Sequence, residues 1–519
     1  MRSRFAILLA LAVVCVTTAW ASWTPAVLVT SGSEGRSIYG NNARKLVFAS
    51  DGIGHVTWAA GGRIGSNRFE PSSGWAADFQ VTPTGDFTSV ALDADGKTIH
   101  VVWEDDFALG YRKCMRGLGG SDEWGPVESL YSTHIPSNPA VACVPGDQNH
   151  VVACWWEAFS TGGRRSKTVE AIGFIECIDG TWGTPIRLDS TTAYMRRCPS
   201  IAVAPNGDVF VAYFANDDNS SGLQVYVKMR HNGIWGSTVD VTPGMGSDMC
   251  NWPAIEVNPQ SANPHIVFRW RKITRISKKV SDTTWAVYHT YRNSQGAWQM
   301  PGLISVPRPV GGEGYGKFQP TLAFTGAGAA YASWSEYVTP TSHGNMYTYC
   351  SFEGGPWSAP AWLTSDPSAD YEDNSPYFAV DDNAQTVHAV WDRVYPGVGW
   401  PTEIWWSSVP LGDGGGGMGQ SVALPQSGIE LFPNPARAGR VAVQYSLTRA
   451  EPLRVTLLDV SGRAVRSSAL AAEAPVGRCG ARSSGEGSFS IDVSGLHAGV
   501  YILQLESGTN SQTRKLVIQ

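Results

Sequence analysis

The chain has 519 residues, more than one compact hydrophobic core ordinarily fills, so several domains or one large repeat fold with a smaller companion are expected. Its 57 Gly, 21 Trp and only 16% charged residues, with no long 3.6-residue periodicity, exclude a mainly helical protein and favour short strands joined by tight turns. With +2 on residues 1–21 and +3 on residues 430–519, the net charge of −6 leaves −11 on residues 22–429, which argues against nucleic acid as a partner.

Arg2 and Arg4 precede an apolar run from Phe5 to Val16 and the small-residue pattern Ala19-Trp20-Ala21. That order predicts a secretory signal peptide over residues 1–21, cleaved before Ser22. Val14 before Cys15 is too large for a usual lipoprotein site, and no later segment is apolar enough to be a transmembrane segment. Eight cysteines remain (Cys114, Cys143, Cys154, Cys177, Cys198, Cys250, Cys350, Cys479), an even number in an oxidising compartment, so some disulfides are expected with their pairing open. No Cys-x-x-Cys unit occurs, so neither a zinc site nor a cofactor is expected; no acidic loop carries a recognisable calcium ligand series, and calcium stays open.

Seven Trp segments then recur, Trp23-Thr24-Pro25, Trp75, Trp124-Gly125-Pro126, Trp182-Gly183-Thr184-Pro185, Trp235-Gly236, Trp298 and Trp357-Ser358-Ala359-Pro360, 49 to 63 residues apart. A period of that size means propeller blades or solenoid arrays. Each unit reads as an apolar strand, an Asn/Asp/Gly turn, a strand with His-Val-x-Trp, a polar loop, an aromatic strand and the Trp strand, which is an antiparallel meander. His100-Val101-Val102-Trp103 and His388-Ala389-Val390-Trp391 mark two copies. The last unit, ending in Ile404-Trp405-Trp406, lacks a Trp strand, and residues 22–30 are such a strand with no unit before it. Borrowing that strand closes the ring and removes a long unpaired edge. The expected fold is therefore all-β, a seven-bladed β-propeller over residues 22–410 whose last blade takes its outer strand from residues 22–30.

The repeat resembles the sialidase-like or BNR-repeat propellers, which are secreted proteins with the same strand order and a turn before Trp. Sialidases have six blades and a Ser-x-Asp-x-Gly-x-x-Trp turn, of which Cys177-Ile178-Asp179-Gly180-Thr181-Trp182 is a degenerate form. Arg197-Cys198-Pro199 resembles the Arg-x-Pro that leads into an inner strand of sialidases, but it occurs once and no arginine triad can be assembled around it.

Residues 411–428, with Gly414 to Gly417, read as a linker, and a further domain is expected over residues 429–519. Strand-like runs at 441–447, 453–460, 489–493, 500–505 and 515–519 predict a small immunoglobulin-like β-sandwich. Phe432-Pro433-Asn434-Pro435, Asp459-Val460-Ser461-Gly462-Arg463 and Gly495-Leu496-His497-Ala498-Gly499-Val500-Tyr501 resemble the C-terminal sorting domain of the type IX secretion system. The resemblance implies export to the outer cell surface or the extracellular space, with the secretion machinery as a partner.

In such a meander the loops leading into first strands and those joining second to third strands share one face near the channel, the default binding site. Glu104, Asp106, Glu157, Glu336 and Asp392 follow the second strands, where an acidic residue recurs and so reads first as a strand end. Residues that break the repeat are stronger candidates: Arg197, Arg269, Arg271 and Lys272, supported by Arg164, Arg165, Lys167, Arg196, Arg275, Lys278 and Lys279, and Tyr315 in a glycine-rich lead-in loop. Such a basic cluster on an acidic propeller suits the carboxylate or sulfate groups of a glycan. No catalytic residue is assigned. The expected function is an exported propeller presenting a glycan- or surface-protein-binding face, and the alternative is a glycoside hydrolase or polysaccharide lyase acting on an anionic glycan through that face's carboxylates.

Overall fold

Short apolar runs punctuated by Gly, Asn and Asp turns become antiparallel sheet, and every regular element described is a β-strand. The computed structural model describes the chain outside residues 1–22, 33–34, 39–42, 118–121, 163–166, 192–194, 217–221, 246–247, 276–280, 311–318, 340–341, 365–370, 396–400, 412–428, 433–439, 448–452, 460–462, 471–484, 508–509 and 519. The expected signal peptide, most of the expected linker, Tyr315, Arg164, Arg165, Lys278, Lys279 and Cys479 lie outside the described residues. Two compact units emerge: Met1–Tyr349 with Pro360–Gly419, and Cys350–Ala359 with Gln420–Gln519.

Among the described residues of the first unit seven antiparallel sheets follow one another, over residues 36–82, 86–131, 136–191, 196–240, 249–310, 321–364 and 372–410. The seventh takes its outermost strand from the other end of the chain: Val27–Ser31 pairs with Pro401–Pro410, Val27 opposite Trp406 and Ser31 opposite Glu403. Ahead of that strand, the Thr24 amide donates to the Ser408 carbonyl at 2.8 Å. First strands pack on one another in order, and Glu372–Asp381 of the seventh sheet packs on Leu46–Phe48 of the first. These repeated four-stranded antiparallel sheets are consistent with a β-propeller.

Packing inside a sheet rests on a tryptophan lying over a glycine. Trp58, Trp103 and Trp155 on second strands sit opposite Gly65, Gly110 and Gly173 on third strands. A Cβ on any of these glycines would meet the indole at 2.2 Å, so no other residue fits without displacing a buried ring.

Between sheets, polar side chains on or just before the first strands latch onto the neighbouring backbone. Lys45 Nζ donates to the Thr88 carbonyl, and Thr321 Oγ1 donates to the Pro376 carbonyl at 2.9 Å. Ser89 Oγ accepts from the Val141 amide and Ser200 Oγ from the Ile255 amide, each at 3.2 Å. Every latch supplies a partner to a backbone group that the sheet ladder leaves over.

Five first strands carry a bulge whose residue has a positive φ: Phe87 (45°), Asn138 (50°), Cys198 (49°), Trp252 (54°) and Ser375 (52°). Pro follows four of them, where its missing amide costs no ladder bond. Bulges re-aim side chains and collect near functional sites, and a non-glycine residue held there stores roughly 1–3 kcal/mol.

The second unit contains two sheets, Ile429–Phe432, Arg440–Leu447 and Gly485–Asp492 in one, and Ala464–Leu470, Leu453–Leu458, Gly499–Ser507 and Asn510–Ile518 in the other. Val441 of the first and Val455, Leu457, Leu503, Leu505 and Leu516 of the second share one buried core. Asp459 and Arg463 shape the hairpin between Leu453–Leu458 and Ala464–Leu470, the Asp459 amide donating to the Arg463 carbonyl at 2.9 Å.

Candidate functional site

The first strands line a narrow cavity. Arg44, Ala140, Ser200, Glu256, Thr321 and Tyr377, from six different sheets, are among its lining residues, and it has about 20 Å³ of free space, room for about one water. Arg44 reaches across to Glu256, Nη2 to Oε1 2.5 Å. First strands of six sheets thus leave little free space between them.

Of the expected basic residues, Arg197 stands beside the bulge of sheet four's first strand, and Arg269 and Arg271 pair opposite Asn251 and Met249 beside that of sheet five. The Arg197 guanidinium lies 4.9 Å from the Trp156 ring centroid and pairs with Glu170 at 2.8 Å. Arg269 lies 4.6 Å from the Trp285 ring and 5.9 Å from Trp252, with Nε donating to Asn251 Oδ1 at 2.8 Å. Arg271 stands 5.3 Å from the Trp285 ring centroid and also contacts Met249 Sδ. Lys272 is exposed on the same strand, Pro264–Arg275. Cys198 and Trp252 pack together under this patch with Phe214 and Leu223. Flat guanidinium groups laid on indole faces are fixed in direction.

The acidic candidates divide. Glu157, Glu336 and Asp392 are 1%, 2% and 0% exposed, so none presents a carboxylate to a ligand at the surface. Glu157 accepts from the Tyr131 hydroxyl and Arg187 Nε, Glu336 from Trp334 Nε1 at 3.0 Å, and Asp392 from Ser37 Oγ at 3.3 Å. A carboxylate this deep is tolerated because donors meet it. Glu104 is half-buried and accepts from Ser137 Oγ at 2.6 Å, opposite Asp86 in the ladder. Burial is the main cause that pushes the Glu104 carboxyl above its ordinary range, with Asp86 adding to it, and burial raises Asp86 as well. Asp106 is exposed beside them.

Trp156, Glu170 and Trp285 were not singled out from the sequence. Trp155-Trp156 carried a signal in retrospect: a doubled Trp puts one ring in the sheet core and the next, by strand alternation, on the opposite face. The expected disulfides are not formed among the described residues, where seven cysteines are free thiols and all but Cys143 are buried.

Residues 430–519 match the family model described as a secretion system C-terminal sorting domain. Such a domain marks proteins exported by type IX secretion, and this protein is exported to the cell surface or the extracellular space. Residues 430–519 are a type IX sorting tail that engages the secretion machinery, and the chain before it is built of propeller-like sheets.

No curated protein matches the sequence. Among solved structures, the polysaccharide lyase Uly1 is 8% identical with a TM-score of 0.45, covering 75% of this chain and 100% of that one. A protein of unknown function from Dyadobacter fermentans is 12% identical with a TM-score of 0.43, covering 63% and 94%. The Penicillium chrysogenum α-L-arabinanase is 12% identical with a TM-score of 0.41, covering 72% and 99%.

Proposed function

We propose that this exported protein is a seven-bladed propeller, closed by its N-terminal strand, that binds a carboxylate- or sulfate-bearing glycan at the channel mouth of blades three to five. The carrying observation is the pair of arginines laid on tryptophan faces, Arg197 on Trp156 and Arg269 on Trp285, either side of the strained Cys198 and Trp252 positions. Guanidinium forks suit carboxylate and sulfate, and indole edges suit sugar rings. The test is a glycan array on the mature full-length protein, read for retention and for cleavage. Retention of anionic glycans that weakens with salt supports the reading; retention of neutral glycans alone, or of none, sinks it and turns attention to a surface-protein partner.

A second reading, hydrolysis or lyase cleavage, is favoured by one specific observation: Glu104 and Asp86 face each other with raised carboxyl pKa values, the environment of a general acid. Cleavage on the array that disappears in Glu104→Gln while retention persists would establish it.

A further inference from the structure

Where the second and third sheets meet, Asp93, His100 and Cys143 bring together a carboxylate, an imidazole and a thiol, one potential ligand atom of each lying within 4.8 Å of the others. We propose that they form a divalent-metal site, of the kind zinc fills, that ties the two sheets together. Among the described residues this is the one such group, and its members come from three places in the fold. Asp93 directly follows the first strand of sheet two, His100 lies on its second strand, and Cys143 ends the first strand of sheet three.

The geometry suits a cation better than a bare hydrogen bond. His100 Nε2 stands 3.4 Å from Asp93 Oδ2. That is long for a charge-assisted hydrogen bond, yet it matches the edge of a tetrahedron whose metal–N and metal–O bonds are about 2.0–2.2 Å. The other ring nitrogen, Nδ1, is 2.8 Å from the Tyr111 hydroxyl. With Nδ1–H donating to that hydroxyl oxygen, the Nε2 lone pair faces the carboxylate. A cation between those two atoms satisfies both. The carboxylate is fixed from behind, since Oδ1 accepts from the Ala94 amide at 2.6 Å and Oδ2 from the Asn149 amide at 2.9 Å.

Cys143 completes the set. Binding would move the thiol proton to solvent and leave a thiolate on the metal, so the charges of thiolate and carboxylate cancel that of the dication. Chain spacing hides this site because its ligands converge only when two sheets pack.

The full mature protein is loaded with zinc, desalted and measured for bound metal, and a parallel sample is loaded with cobalt(II) for absorption spectroscopy. About one zinc per chain and a thiolate-to-cobalt band in the near ultraviolet are expected. Cys143→Ser, close to isosteric, should abolish the band and weaken zinc binding by at least about tenfold, whereas Cys250→Ser, a buried thiol elsewhere, should change neither. Zinc should raise the melting temperature of the wild type and leave that of Cys143→Ser unmoved. Desalted wild type without zinc, a spectrum without the thiolate band, or undiminished affinity in Cys143→Ser would each overturn the site.

Discussion

At the residue scale, Lys45 is the most exacting test of the packing. It is 1% exposed, donates to the Thr88 carbonyl, and is held by burial at a pKa of about 7, with Asp86 opposing the shift. The folded state thus prefers a neutral amine more than the unfolded chain does, whose lysine titrates near 10.5. Between about pH 7 and 10.5 the unfolded chain holds the extra proton, so stability should rise with pH across that window, by up to about 1.4 kcal/mol per pH unit. Denaturant melts of wild type and Lys45→Met at stepped pH check this: the variant should lose the slope and be the more stable protein at pH 7. Burial likewise lowers His55 and His388 to about 3, so both fold neutral, and stability should fall as pH drops from 6.5 toward 3. At the mouth, Arg269→Ala should weaken an anionic glycan about tenfold, near 1.4 kcal/mol, read by titration calorimetry. Arg187→Ala, whose partner Glu157 is buried, should lower stability instead.

At the scale of strands and sheets, what could be read from the sequence follows from what repeats. Apolar alternation, Asn/Asp/Gly turns and the Trp spacing locate strands such as Thr98–Asp105 and Thr386–Val394, because burial of one face leaves a period in the residues. In the second unit the same signal finds Arg440–Leu447 and Gly499–Ser507 but not Ala464–Leu470, whose Arg466, Ser467 and Ser468 dilute it. Features that depend on a partner strand leave little trace. Gly110 looks like any turn or strand glycine until Trp103 lies across it, and Glu157 looks like an exposed loop acid until Tyr131 and Arg187 close over it. The basic residues were legible because they interrupt the pattern, whereas their Trp partners vanish among 21 tryptophans. Gly110→Ala should therefore destabilise the first unit by about 1–3 kcal/mol through overpacking, measured by chemical denaturation; Gly96→Ala, at a turn with φ 66° and open space around it, tests backbone strain without any collision.

For the whole molecule, the sorting tail and the pairing of chain ends set the behaviour. Deleting residues 430–519 should leave the protein inside the cell envelope while the full chain reaches the surface or medium, as fractionation and blotting would read. Deleting residues 22–31 should expose Pro401–Pro410 as an unpaired edge, lowering the melting temperature and promoting self-association visible in light scattering. The seam also has a mechanical consequence. If the protein is held to the cell by its C-terminal end, drag on the first unit enters through Pro401–Pro410, which is flanked on one side by Thr386–Val394 and on the other by Val27–Ser31. Tension along that strand is then shared as shear by two ladders rather than peeling one bond at a time, so the strand that completes the sheet also reinforces the tether point.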